Sequence, residues 1–137
     1  MGTIIESKCN CGHEKRFAVG GGRMDYYTNC GFPCYCYDCK KMFSANLFDK
    51  KSTCTNCGSK NFKPYDHKAL KLMGSLWKRW FWYLTNVIKG AFYKPKNIFD
   101  WNTKEKLGRQ IVLTDEEYFC PKCKRFTMKF EFVGSWD

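Results

Sequence analysis

Apolar and polar residues alternate near the far end of this chain. Phe126, Met128, Phe130 and Phe132 are separated by Thr127, Lys129 and Glu131, the two-residue period of a half-buried strand. Residues 116–119 and 126–133 flank the turn Cys120-Pro121-Lys122-Cys123, and residues 3–8 and 14–19 flank Cys9-Asn10-Cys11-Gly12-His13; each set predicts a hairpin. Residues 42–48 are β-capable, residues 49–52 can turn, and residues 61–65 continue as a short extended piece. Residues 107–113 predict a further strand, and 99–103 the start of a short turn or helix. The period changes after residue 66. Ala69, Leu70, Met73, Leu76, Trp77, Trp80, Phe81, Leu84, Val87 and Ile88 recur at three- and four-residue steps, which predicts an amphipathic helix over 67–89. Asp66 is a candidate N-cap, Gly90 a candidate C′ residue, and Pro95 follows. At 1.5 Å per residue this helix would be about 35 Å long.

The turns carry most of the chemistry. Ten cysteines fall at 9, 11, 30, 34, 36, 39, 54, 57, 120 and 123. Three pairs are Cys-x-x-Cys and Cys9/Cys11 is a tighter Cys-x-Cys, spacings that let two thiolates point at one ion while nearby N–H groups point at the sulfurs. A glycine after the second Cys eases such a turn because it accepts positive φ. Gly12 and Gly58 stand there in two cases, whereas Lys40 and Lys124 occupy the other two. Cys36, Cys39, Cys54 and Cys57, with fourteen residues between the pairs, have the spacing of a tetrahedral structural zinc site.

The motif CYDC…CTNC over residues 35–65 resembles the zinc-ribbon (rubredoxin-like) superfamily. The resemblance implies a metal-bound hairpin fold and leaves the partner open, because zinc ribbons serve many partners. A redox-active Cys-x-x-Cys is the alternative, and no βαβ pattern surrounds either pair.

The remaining pairs, Cys9/Cys11 and Cys120/Cys123, are expected to meet as a second ribbon-like site. Loop-closure cost rises slowly with length, so the long insert is no obstacle. His13 is the substitute ligand if one of these thiols is unused. Cys30 and Cys34 are expected as buried free thiols acting as small hydrophobes; ligand exchange at the first site, or a third ion with His13, is the alternative. The expected architecture is therefore a small metal-bound α+β protein with zinc-ribbon β-hairpins and one long amphipathic helix. Its parts are 1–22 with 105–137, 34–65, and 66–104. The expected cofactors are two Zn²⁺, with iron as the alternative, since a rubredoxin-like ribbon can hold it.

Charge narrows the function classes. Lys and Arg number 24 against 13 Asp and Glu, a formal net charge of +11. Four thiolates around one divalent ion carry −2, so two filled sites lower +11 to +7. Between residues 67 and 99 there is no acid, seven Lys or Arg, and eight aromatics. Lys71, Lys78, Arg79 and Lys89 lie on the polar face of the predicted helix with Trp82, a candidate for stacking on a base while cations hold phosphates. The leading expectation is a nucleic-acid-binding accessory factor. The alternatives are a protein–protein adaptor on a transcription or processing machine, with tryptophans as anchors, and membrane-interface binding through the helix.

Catalysis is not expected. There are two histidines, four-thiolate sites are closed, and no nucleophile motif stands out. No run of eighteen uncharged apolar residues predicts a spanning helix. Residues 1–8 lack the apolar region of a signal peptide and the pattern for myristoylation. Free thiols in metal-binding spacing then predict a reducing intracellular compartment, cytoplasm or nucleus.

Overall fold

The two terminal hairpins pair with each other. A computed structural model describes residues 2–25, 27–71, 80, 81, 83, 84 and 96–136. Strands β1 (Gly2–Cys9) and β2 (Glu14–Val19) form an antiparallel hairpin around the first cysteine turn. Strand β9 (Phe126–Trp136) lies antiparallel along the other edge of β1, from Gly2↔Trp136 to Cys9↔Met128, and carries the short β8 (Tyr118–Phe119) on its far side. The four strands make one sheet in the order β2-β1-β9-β8. The alternation read at 126–132 places Met128 and Phe130 in the core, and Phe132 ends up exposed.

The second sheet, in the order β4-β3-β5, comprises β3 (Gly31–Cys36), β4 (Met42–Asn46) and β5 (Phe62–Pro64). The central strand is the one without a sequence signal, because Pro33 sits inside it. N–H and C=O of one residue point to the same side of a strand. The Pro33 carbonyl accepts from Tyr65 N at 3.1 Å, so its missing donor faces the end of the three-residue β5 rather than the β4 ladder. The third sheet pairs β6 (Asn97–Trp101) with β7 (Ile111–Thr114). Helix α1 (Lys104–Leu107) links them and closes on Gly108 in the left-handed conformation, φ 66°. Residues 99–103 therefore belong mainly to a strand, and the strand expected at 107–113 begins at Ile111.

The α+β architecture with a long amphipathic helix is overturned: among the described residues the protein is mostly β, with nine strands in three antiparallel sheets. The predicted helix fails at its start. His67, not Asp66, caps the chain there: its Nδ1 accepts from Ala69 N at 3.1 Å over a 3-10 helix, Lys68–Leu70. Lys71 is then extended and bridges to Tyr118. Leu70 is buried in the core, and the Asp66 carboxylate pairs with the Arg109 guanidinium. These tertiary contacts override a helical propensity worth tenths of a kcal/mol per residue. Trp80, Phe81, Tyr83 and Leu84 are helical, but the exposures of Trp80, Phe81 and Leu84, 58%, 62% and 49%, oppose the expected buried stripe. The rest of the predicted span lies outside the described residues. No helix among the described residues is long and apolar enough to cross a membrane.

One core joins the three sheets. It gathers Ile5, Phe17 and Val19 from β1 and β2, Phe32 and Tyr35 from β3, Ile111 and Leu113 from β7, and Met128 and Phe130 from β9. Tyr65 and Tyr118 lie at its centre, both fully buried. The Tyr118 ring packs edge-on against Phe130 at 5.0 Å, and its hydroxyl accepts from Thr114 N at 2.9 Å.

Candidate metal centres

Each of the four cysteine turns ends on a residue with positive φ. The values are 87° at Gly12, 57° at Lys40, 71° at Gly58 and 56° at Lys124. Lys40 and Lys124 thus adopt the backbone that Gly12 and Gly58 adopt freely, a conformation uncommon for residues with a Cβ. The reason is the hydrogen bonding of the turn. The first Cys N–H donates to the carbonyl five residues on: Cys36 to Lys41 at 3.1 Å, Cys54 to Ser59 at 2.8 Å, and Cys120 to Arg125 at 2.8 Å. In the Cys-x-Cys turn, one residue shorter, Cys9 N donates to His13 O at 3.0 Å.

These turns bring the cysteines together in two groups of four, Cys36/Cys39/Cys54/Cys57 and Cys9/Cys11/Cys120/Cys123, with all sulfurs of a group within 4.8 Å of one another. The pairing is the same in both: the first Cys of one turn faces the second of the other. Cys36–Cys57, Cys39–Cys54 and Cys11–Cys120 are each 3.6 Å apart, and Cys9–Cys123 is 3.7 Å. A disulfide needs about 2.05 Å. A regular tetrahedron with metal–sulfur bonds of about 2.3 Å has an edge of about 3.8 Å. The sulfur positions therefore fit a four-coordinate metal ion and not a pair of disulfides.

The surroundings favour thiolates at selected sulfurs. Burial raises the Cys54 thiol, but the backbone N–H groups of Asn56 and Cys57 outweigh it and bring it down to about 7. The Thr127 hydroxyl beside Cys123 is the main cause that lowers that thiol to about 6. Burial pushes Cys39 and Cys120 up to about 12, so within each group some sulfurs ionise readily and others need the ion itself. Asp38, inside the Cys36–Cys39 turn, accepts from the Ser59 hydroxyl and from Asn61 Nδ2, tying that turn to the Cys54–Cys57 turn.

Thr127 was not anticipated as part of a site. Its Oγ1 lies 3.0 Å from Cys9 Sγ and 3.5 Å from Cys123 Sγ, bridging the two chain-distant turns. The only sequence cue is its place four residues after Cys123 on an alternating strand. Thr127→Val keeps the shape and removes the donor. Outer partners of this kind typically contribute 10–100-fold in metal affinity, so the second centre is expected to bind about 10–100-fold more weakly by chelator competition, with the first unchanged. Because the hydroxyl favours the thiolate, the variant also releases its ion at a higher pH than the wild type. An affinity within about twofold of wild type would refute this role.

The other candidate residues divide clearly. Cys30 and Cys34 are fully buried and belong to neither group. Burial pushes the Cys30 thiol up to about 12 and Cys34 higher still, so both behave as small apolar groups. His13 is likewise in neither group; burial, with Lys15 and Lys122 beside it, holds its imidazole below the usual range. Lys71 packs its ammonium 5.9 Å from the Tyr118 ring. Lys78, Arg79, Trp82 and Lys89 lie outside the described residues. No family model, no curated protein and no solved structure matches the chain.

Proposed function

We propose that this is a zinc protein in which two structural Zn²⁺ ions hold a scaffold that serves as a nucleic-acid-binding accessory factor. The observation that carries the metal reading is the pair of four-cysteine groups with tetrahedral sulfur spacing. Zinc is preferred over iron because a closed four-thiolate site is its common structural use. Four protein ligands leave no position for a reacting water, which supports a structural role over a catalytic one. The nucleic-acid reading is supported by charge: two filled centres leave +7 of the formal +11 on a small, aromatic-rich chain. Its test is a salt titration of DNA and RNA binding. Affinity is expected to fall linearly in log–log form as salt rises; no binding to either nucleic acid at about 50 mM salt would overturn it.

One observation favours a protein adaptor instead. The exposed set Trp80, Phe81, Tyr83 and Leu84 offers the aromatic anchors that dominate protein interfaces. A Trp80→Ala variant that loses a protein partner while keeping nucleic-acid affinity selects that reading.

A further inference from the structure

The four cysteine turns converge at their tips. Between the two metal centres they leave a cleft of about 300 Å³ lined by His13, Lys15, Lys40, Lys41, Asn56 and Lys122, with Met42 and Pro121 as its apolar part. Every turn contributes: His13 follows the Cys9–Cys11 turn, Lys40 and Lys41 follow Cys39, Asn56 precedes Cys57, and Lys122 precedes Cys123. Four lysines line the cleft and no Asp or Glu does. Lys40, Lys41 and Lys122 are exposed. Lys15 is held in place, its Nζ donating to the Met42 carbonyl at 2.7 Å. His13 Nε2 is buried and has no hydrogen-bond partner, an arrangement that costs free energy.

Charges of one sign lining a cleft focus its field, so a cleft of this composition attracts an anion. The thiolates do not fill that role from inside. The sulfurs take their hydrogen bonds from backbone N–H groups of the turns and from Thr127, not from these lysines. We infer that the cleft between the two metal centres binds successive backbone phosphates of nucleic acid, with Lys40, Lys41 and Lys122 supplying the charge and His13 and Asn56 the fixed polar partners. This rests on the nucleic-acid reading and gives it an address. Both metal centres must be intact for the site to exist, because each contributes turns to its walls.

The test compares two triple variants that each remove three charges. One is Lys40→Asn with Lys41→Gln and Lys122→Gln; Asn tolerates the left-handed backbone at position 40. The control is Lys50→Gln with Lys51→Gln and Lys104→Gln, three exposed lysines outside the cleft. Both are checked for two metal ions per chain, then titrated with a labelled single strand of about 20 nucleotides. The cleft variant is expected to bind at least about 30-fold more weakly and to lose about 2 from its log–log salt slope, as three phosphate contacts require. The control should change by less than about fivefold. Equal losses in the two variants overturn the cleft and leave the nucleic-acid reading standing. A wild type that binds no oligonucleotide overturns both. A third arm uses inorganic phosphate at constant ionic strength: tight uptake, lost in the cleft variant and not displaced by the oligonucleotide, makes this a free-anion site and overturns the inference.

Discussion

Excess chelator is expected to unfold this protein, and a limited amount in mild denaturant to empty the two centres in order. Structural zinc contributes about 10–16 kcal/mol of apparent binding free energy in small zinc-dependent peptides, against a total stability of about 5–15 kcal/mol for a typical domain. The scaffold is therefore expected to lose its near-ultraviolet circular dichroism with its metal. The order follows from chain connectivity. Cys39 and Cys54 are 15 positions apart and Cys11 and Cys120 are 109 apart. When the sheet no longer holds the ends together, closing the longer loop costs about 1.8 kcal/mol more, about twentyfold in affinity. The second centre should empty first, together with the β1–β9 pairing. Native mass spectrometry checks this, with Cys57→Ser and Cys123→Ser variants, each retaining one ion, to assign the centres. A metal-free protein that keeps its near-ultraviolet signal, or both ions leaving together, would show the account to be wrong.

The second large effect is expected at Tyr65. This side chain is fully buried where the ribbon meets the terminal sheet, its ring centroid 5.5 Å from Phe130 and 6.3 Å from Tyr118. Its hydroxyl donates to the Phe119 carbonyl at 3.1 Å, one residue before the ligand Cys120. Tyr65→Ala should destabilise by about 3–5 kcal/mol, the usual range for deleting a buried aromatic ring. Tyr65→Phe should cost about 1–3 kcal/mol, since it leaves that carbonyl unpaired. Urea unfolding at fixed free metal concentration measures both, because bound metal shifts the midpoint by mass action. A loss below about 1 kcal/mol for the alanine variant would mean that the two modules do not depend on this contact.

How far the sequence revealed these features depends on the kind of signal each residue gives. The cysteine spacings are covalent facts about short turns, so they pointed directly to the two groups that the fold assembles. The strand at 126–136 was legible because its alternation sets Met128 and Phe130 in the core, and those at 2–9 and 14–19 because they flank a cysteine turn. Strand β3 was not, because Pro33 reads as a strand breaker and only the position of β5 shows that its missing N–H lies where no ladder bond is due. The helix over 67–89 fails at its start for the opposite reason. Its periodicity is local, whereas the bridge of Lys71 to Tyr118 and the pairing of Asp66 with Arg109 join distant parts of the chain. Thr127 and the lysines of the cleft act through neighbours more than eighty positions away, which no short motif records.

The separation of the second centre's halves also bears on how the protein is made. Ribosomes deliver a chain from its N-terminus at about 5–20 residues per second. The first centre has all four ligands once Cys57 has emerged. Cys9 and Cys11, 114 and 109 positions ahead of the cysteines they face, wait about 5–20 seconds for them. During that interval they are an incomplete dithiol, open to oxidants and to competing metals. The earliest cysteines to be translated are thus among the last to be protected, and accurate metal loading depends on conditions in the cell while the chain is still being synthesised.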